Sequence, residues 1–404
     1  MTAIAIFHEN FAQSGGAERV VESMARLLPE ADILSTLTVH KRLSPYMQGR
    51  KITNTWMQHL PGLDRLYRHY FVLYPFAVSS VNLKRYRLVF SSCFGFAKGL
   101  HRDKSAVHIC YCHTPPRWLW RCNDYMERER FNPITRVALR ALLRAMRFWD
   151  LRSSRRPDVF IANSEAVAER IFRFYGRESV ILHPPVEVDR FHISERIEDF
   201  YLVVSRLVGY KRIDLAIRAC NRLERPLTII GDGPDRERLQ NIAGRTIRFL
   251  GRRSDEEVAD HLSRCKALIF AGEEDFGIVP LEAAASGRPV IAFCSGGALD
   301  TVIDGITGIL FDQPTKESLA DAILQLESRR WDAHILRAHA ETFRTEVFHR
   351  RLRDLLHSIL EGRGDTELLH QIAEPIAQDQ SPPSEARECP VVGPGAPNAA
   401  TLVI

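Results

Sequence analysis

Short apolar runs recur along the chain, each closed by glycine, serine or a charged residue and followed by a stretch of helical pattern. In the first half they are Ile4–Phe7, Leu88–Ser92, Val107–Cys112 and Val159–Ala162. In the second they are Phe200–Val204, Leu227–Ile230, Phe249–Arg252, Ala267–Phe270 and Val290–Phe293. The runs do not alternate apolar with polar residues, which suits strands buried on both faces of a parallel sheet. Strand and helix in alternation predict an α/β architecture with helices on both sides of each sheet. His183-Pro184-Pro185-Val186, followed by Asp189-Arg190-Phe191, interrupts that alternation and reads as a linker. Two doubly wound domains are therefore expected, residues 1–190 and 191–342, facing across a cleft. Residues 343–361 predict one long basic-and-apolar helix, and the Pro-, Gly- and acid-rich 362–404 a mostly disordered tail.

The stretch Ala271–Gly308 departs from this regular pattern. It reads as loop, helix, strand, Gly-Gly loop, helix. Pro280 suits a first helical turn, while Gly287 and Pro289 end the helix. The amides of Gly277, Ile278 and Val279, and those of Gly296, Gly297 and Ala298, are expected at helix N-termini. Unpaired N–H groups and the helix dipole attract anions there. Glu274 and Glu282 stand eight positions apart across the Phe276-Gly277 turn. Glu282, expected in the first turn, would be held ionised by the dipole and could accept from two vicinal ribose hydroxyls. Glu274 could accept from a second sugar beyond the phosphates. The plainer alternative is a surface loop of solvated acids, which the clustering of all these features in one stretch disfavours.

Other candidates sit at strand ends, where open α/β sheets bind ligands. Gly15 and Gly16 follow the first strand and permit a close backbone approach. His113 ends the strand Val107–Cys112 in the run His113-Thr114-Pro115-Pro116-Arg117. Arg206 and Lys211 flank the turn after Phe200–Val204, where two cations can neutralise a diphosphate. Gly231 and Gly251 mark the turns after the next two strands. No complete Gly-x-Gly-x-x-Gly or Walker motif occurs, which argues against dinucleotide redox chemistry and P-loop hydrolysis.

Composition narrows the setting. Eight cysteines show no disulfide-rich spacing, and Cys110-Tyr111-Cys112-His113 lacks a second pair to complete a tetrahedral metal set. The expectation is buried thiols in a reducing, cytoplasmic compartment. The N-terminus lacks a basic leader, and no apolar run is long enough to span a bilayer. The net charge of +5 hides an asymmetry, since residues 1–190 hold 29 Lys+Arg against 17 Asp+Glu and the remainder 26 against 33. Arg136, Arg140, Arg144 and Arg147 recur at helical spacing beside Leu139, Leu142, Leu143 and Met146. Such a stripe fits an anionic membrane surface. Nucleic acid is not expected, because no helix-turn-helix, RRM or zinc-finger context accompanies it. The aromatic segment Trp56–Leu83 leaves two readings open, a packed helical pair or an interfacial element.

The run Glu274-x-Phe276-Gly277-x4-Glu282-Ala283, then Gly287-x-Pro289-Val290-Ile291-Ala292, then Gly296-Gly297-x-x-Asp300, resembles the donor-site signature of retaining glycosyltransferases of family 4. The last position is usually Glu in that family. The resemblance covers roughly residues 1–360 and implies the GT-B fold, with two Rossmann-like domains. It implies that Gly15-Gly16 faces the cleft, that His113 lies beside the donor sugar, and that Arg206 and Lys211 bind the diphosphate. By the same resemblance Gly231 lies near the nucleobase and 343–361 crosses back to the first domain. The opening Gly-Gly-Ala-Glu-Arg-Val, the run Tyr111-Cys112-His113-Thr114-Pro115-Pro116-Arg117 and the run from Glu273 to Glu282 together look most like bacterial mannosyltransferases of O-antigen and exopolysaccharide assembly. The implied donor is GDP-mannose or another nucleotide sugar, and the implied acceptor a polyprenyl-diphosphate-linked or growing glycan. Catalysis is expected at the inner face of the cell membrane. No metal cofactor is expected, since no Asp-x-Asp occurs and two cations stand in for a divalent ion. Alternatives are another GT-B reaction, such as a phosphorylase or nucleotide-sugar epimerase, and a non-catalytic glycan- or lipid-binding module.

Overall fold

A computed structural model describes residues 3–120, 133–365 and 368–369. The expected tail, 362–404, lies mostly outside the described residues. Among the described residues, thirteen parallel strands form two sheets. The first contains β1 (Ile4–His8), β2 (Asp32–Ser35), β3 (Ile52–Asn54), β4 (Leu88–Cys93), β5 (Val107–Cys112), β6 (Val159–Ala162) and β7 (Val180–Ile181). Their order is 3-2-1-4-5-6-7. The second contains β8 (Tyr201–Val204), β9 (Leu227–Ile230), β10 (Ile247–Gly251), β11 (Ala267–Phe270), β12 (Val290–Phe293) and β13 (Gly308–Phe311), in the order 10-9-8-11-12-13.

Each sheet thus reverses its winding once, between β1 and β4 and between β8 and β11. Crevices open at such switch points, beyond the strands' carboxyl ends, because the flanking loops part to opposite faces. The central strands are buried along their whole length, as their unbroken apolar runs require. The polar or very short β2, β3 and β7 lacked that signal, and the apolar patterns placed Phe200 one residue early and β10 two residues late.

Four helices border the space between the sheets or join one domain to the other, α1 (Gly16–Leu27), α3 (Glu165–Tyr175), α4 (Ile278–Ala285) and α5 (Thr345–Glu361), while α2 (Pro133–Ser153) packs within the first domain. Phe348, Leu352, Leu356 and Leu360 recur every four residues and enter the first domain's core beside β1 and α1. The C-terminal helix therefore packs on the opposite domain from the strands that precede it. The backbone linkage there is Val186 N–H to Phe343 carbonyl, 2.8 Å. The segment around Trp56–Leu83 forms short helical turns. Tyr74, Ala77 and Val78 are buried, while Trp56, Leu66 and Phe76 are exposed. Five of the six described cysteines are buried, and Cys294 is exposed, contrary to expectation.

Candidate functional site at the domain cleft

The two switch points face each other, and the turns between strand and helix fill the space. Gly15 caps α1 in an extended conformation, and a Cβ on Gly16 would lie 3.0 Å from Ile278 Cδ1 on the other domain. The two domains come within side-chain contact at this turn. A pocket of about 520 Å³ opens along this seam, lined by Gly15, Gly16, Glu18 and Arg19 on one side and by Ile278, Val279 and Glu282 on the other.

Two details of the α4 region differ from the sequence expectation. The helix begins at Ile278, so Glu282 falls in the second turn, where the dipole acts weakly. Burial dominates, raising the Glu282 carboxyl above its usual range, against the pull of Arg19 and Arg190. Arg19 Nη1 reaches across the cleft to Glu282 Oε1 at 3.0 Å, and Arg19 Nη2 to Asp255 at 3.3 Å. Gly297 does not present a free amide either. Its N–H donates to the Glu274 carbonyl at 3.0 Å, and a Cβ on it would stand 2.2 Å from Phe276 Cα. The Gly-Gly turn lies under the 274–276 segment, with Gly296 at φ +65°. Close backbone crossing accounts for these glycines rather than open anion binding. Gly277, at φ +85°, caps α4 as expected.

Three consecutive acids find three cationic settings. Glu273 pairs with Arg170 at 2.7 Å, Glu274 with Lys211, and Asp275 with Arg117 at 2.6 Å and with Arg170. Arg117 and Arg170 belong to the first domain, so the loop is stapled across the cleft. Lys211 is half-buried against Glu274 rather than waiting free for an anion. Arg206 is exposed and without an ion-pair partner among the described residues. Gly231 at φ +134° and Gly251 at φ +72° meet through a backbone hydrogen bond of 2.8 Å. A Cβ on Gly231 would overlap the Ser205 carbonyl, 1.8 Å away, which ties the loop carrying Arg206 to the neighbouring strand.

His113 lies at the end of β5, buried, with Nε2 2.8 Å from Ser92 Oγ. Burial and the neighbouring His8 press its pKa down to about 3, so the imidazole is neutral at pH 7. It can orient a hydroxyl but does not carry a proton ready to donate as an acid. Asp300 is nearly buried beside His183 Nε2 at 3.2 Å, and it accepts the Glu165 N–H at 3.0 Å at the start of α3. Its role here is to join the second domain to the linker and to the first. Sequence reasoning missed Arg19 and Arg170. Arg19 was visible four residues after Gly15, but its partner is 263 positions away.

On α2, Arg147 is half-buried, donates to the Leu119 carbonyl at 2.9 Å and sits over Trp120. It does not join an outward stripe, and the side chain of Arg136 lies outside the described residues. The exposed face instead carries Val137, Arg140, Arg144, Phe148 and Leu151, three or four positions apart. Asp150 is buried against Lys98, Trp120 and Tyr175, so no acid interrupts that face.

Residues 14–190 match the family model Glycosyltransferase Family 4, and residues 188–343 match Glycosyl transferases group 1. The chain belongs to the family 4 glycosyltransferases. The GDP-mannose-dependent alpha-(1-6)-phosphatidylinositol monomannoside mannosyltransferase from Mycolicibacterium smegmatis is 31% identical, over 47% of this chain and 56% of that protein. Human alpha-1,3/1,6-mannosyltransferase ALG2 is 26% identical, over 58% of this chain and 62% of its own. The chain spans about half to three-fifths of the length of these relatives. Sucrose-phosphate synthase from Thermosynechococcus elongatus superposes with a TM-score of 0.68 at 16% identity, covering 89% of this chain and 99% of that one. Anabaena HepE, solved in complex with UDP, gives 0.64 at 16%, covering 88% and 99%. The fold is GT-B.

Proposed function

We propose that this family 4 protein transfers a hexose from a nucleotide sugar to a lipid-linked or growing glycan, with retention at the anomeric carbon. The donor is GDP-mannose and the acceptor a polyprenyl-diphosphate-linked saccharide. The observation that carries the reading is the convergence of Glu282, Gly15-Gly16 and the Ile278–Val279 helix start on one pocket at facing switch points. Ribose hydroxyls replace Arg19 at Glu282, and the sugar's hydroxyls replace Lys211 at Glu274. Lys211 then turns to the diphosphate with Arg206.

Departure of the diphosphate is the costly step, because negative charge grows on its oxygens. Preorganised cations and amides lower that barrier most when the charge develops. Neutral His113 holds a substrate hydroxyl, and the leaving phosphate takes the acceptor's proton on the same face. Mannose is favoured by the two mannosyltransferases among the relatives. The α2 face, cationic and apolar, suits the anionic cytoplasmic leaflet, where a lipid diphosphate resides. No described helix is long and apolar enough to cross a membrane.

A thermal-shift screen of GDP- and UDP-sugars tests the donor, since a ligand at a hundred times its Kd stabilises by about 2.7 kcal/mol. Stabilisation by a UDP-sugar and not by GDP-mannose refutes the donor assignment. Release of an epimer or a sugar phosphate without acceptor refutes transfer.

A further inference from the structure

The neutral imidazole of His113 has one proton to place, and a run of polar side chains leads to one of its two nitrogens. Ser92 Oγ lies 2.8 Å from His113 Nε2 and 2.9 Å from His8 Nδ1. The other nitrogen of His8, Nε2, is buried without a hydrogen-bond partner. It stands 3.7 Å from Glu18 Oε1, which is likewise buried and unpartnered. The chain Glu18–His8–Ser92–His113 links the first turn of α1, β1, β4 and the end of β5.

A serine hydroxyl has one hydrogen and lies here between two imidazole nitrogens. In one arrangement His8 carries its proton on Nε2, toward Glu18. Its bare Nδ1 then takes the Ser92 hydrogen, and Ser92 Oγ accepts from His113 Nε2–H. In the reverse arrangement His8 donates from Nδ1 and turns a lone pair on Nε2 toward the carboxylate. If both imidazoles donate to Ser92, that same repulsion arises and the hydroxyl hydrogen has no acceptor. An ionised carboxylate only accepts, so among the neutral forms of His8 it selects the first arrangement.

We propose that Glu18 is a positioning residue that acts through His8 and Ser92 to keep the proton of His113 on Nε2, leaving Nδ1 bare to accept a hydroxyl of the substrate. The second half rests on the reading of His113 as a donor-sugar contact. Among the described residues His113 Nδ1 has no hydrogen-bond partner, so the acceptor is unspent. A gap of 3.7 Å between His8 and Glu18 closes to hydrogen-bond length with a shift of less than about 1 Å.

The test is nitrogen-15 NMR of the full chain with labelled histidine at pH 8, where long-range proton–nitrogen couplings report the tautomer. His113 is expected as the Nε2–H form. Glu18→Gln, whose amide both donates and accepts, is expected to lose that single tautomer. Ser92→Ala, which cuts the chain in the middle, should do the same and be no worse when combined with Glu18→Gln. An Nδ1–H form in the parent, or an unchanged tautomer in Glu18→Gln, overturns the proposal without touching the donor reading. Saturating GDP-mannose should then move the Nδ1 resonance of His113. A stationary resonance, with donor bound, overturns the contact with substrate while leaving the Glu18 coupling intact.

Discussion

Replacing Glu282 by Gln isolates the charge of the ribose acceptor from its shape. In the ligand-free protein the carboxylate is 10% exposed and bound to Arg19, whose side chain is 37% exposed. Hydrogen bonds from a sugar to a charged group are worth about 1.5–3 kcal/mol. Surrendering a partly exposed ion pair costs up to about 1 kcal/mol. The net loss on substitution is therefore about 1–2 kcal/mol, a Kd for nucleotide sugar roughly 5- to 30-fold weaker. Stability should move the other way or not at all. A carboxyl whose folded pKa is raised contributes stability fully present below its ordinary value of 4.5, and that contribution is lost as pH rises through the folded value. At neutral pH the buried charge is a liability, which a neutral amide removes. Calorimetric titration with GDP-mannose, across pH 4.5 to 8, checks both. Parent affinity should fall on acidification at a pH above 4.5, and Glu282→Gln should show no such step. Unchanged affinity together with an unchanged pH profile would refute the assignment of Glu282 to ribose.

Gly297→Ala forces a methyl into the backbone of Phe276, so it should lose about 1–3 kcal/mol, visible as a lower Tm, with backbone on both sides of the clash. If Arg206 and Lys211 meet the diphosphate as proposed, activity should survive EDTA; loss restored by Mg²⁺ or Mn²⁺ would count against them. Arg140→Glu with Arg144→Glu should weaken sedimentation with anionic vesicles by at least about 2 kcal/mol, while Tm and donor affinity stay near the parent. A collapse in Tm instead would mark these arginines as structural.

The charge asymmetry between the halves also bears on domain closure. Arg19, Arg117 and Arg170 of the basic half meet Glu282, Asp255, Glu273 and Asp275 of the acidic half across the cleft. Part of the excess cation is thus directed at the partner domain, and only part, on α2, at the surroundings. High salt should weaken these cross-cleft pairs as well as the proposed membrane attachment, since both sets of charges are partly exposed.

The central strands, the linker, the long C-terminal helix and the cluster around Glu274 and Glu282 were legible in the sequence. Each is encoded locally, by an unbroken apolar run, a proline pair, a helical period or a glycine that only one backbone geometry explains. β2, β3 and β7 were not: β3 and β7 are very short edge strands with little buried surface, and the four residues of the interior β2 begin and end on polar Asp32 and Ser35. Tertiary structure alone decided that Glu282 meets Arg19, that Glu274 meets Lys211, and that the Gly297 amide is spent on a carbonyl. Those pairings join residues tens to hundreds of positions apart: the first exists because the two sheets present their switch points to each other, the other two because loops of the second domain fold back on one another.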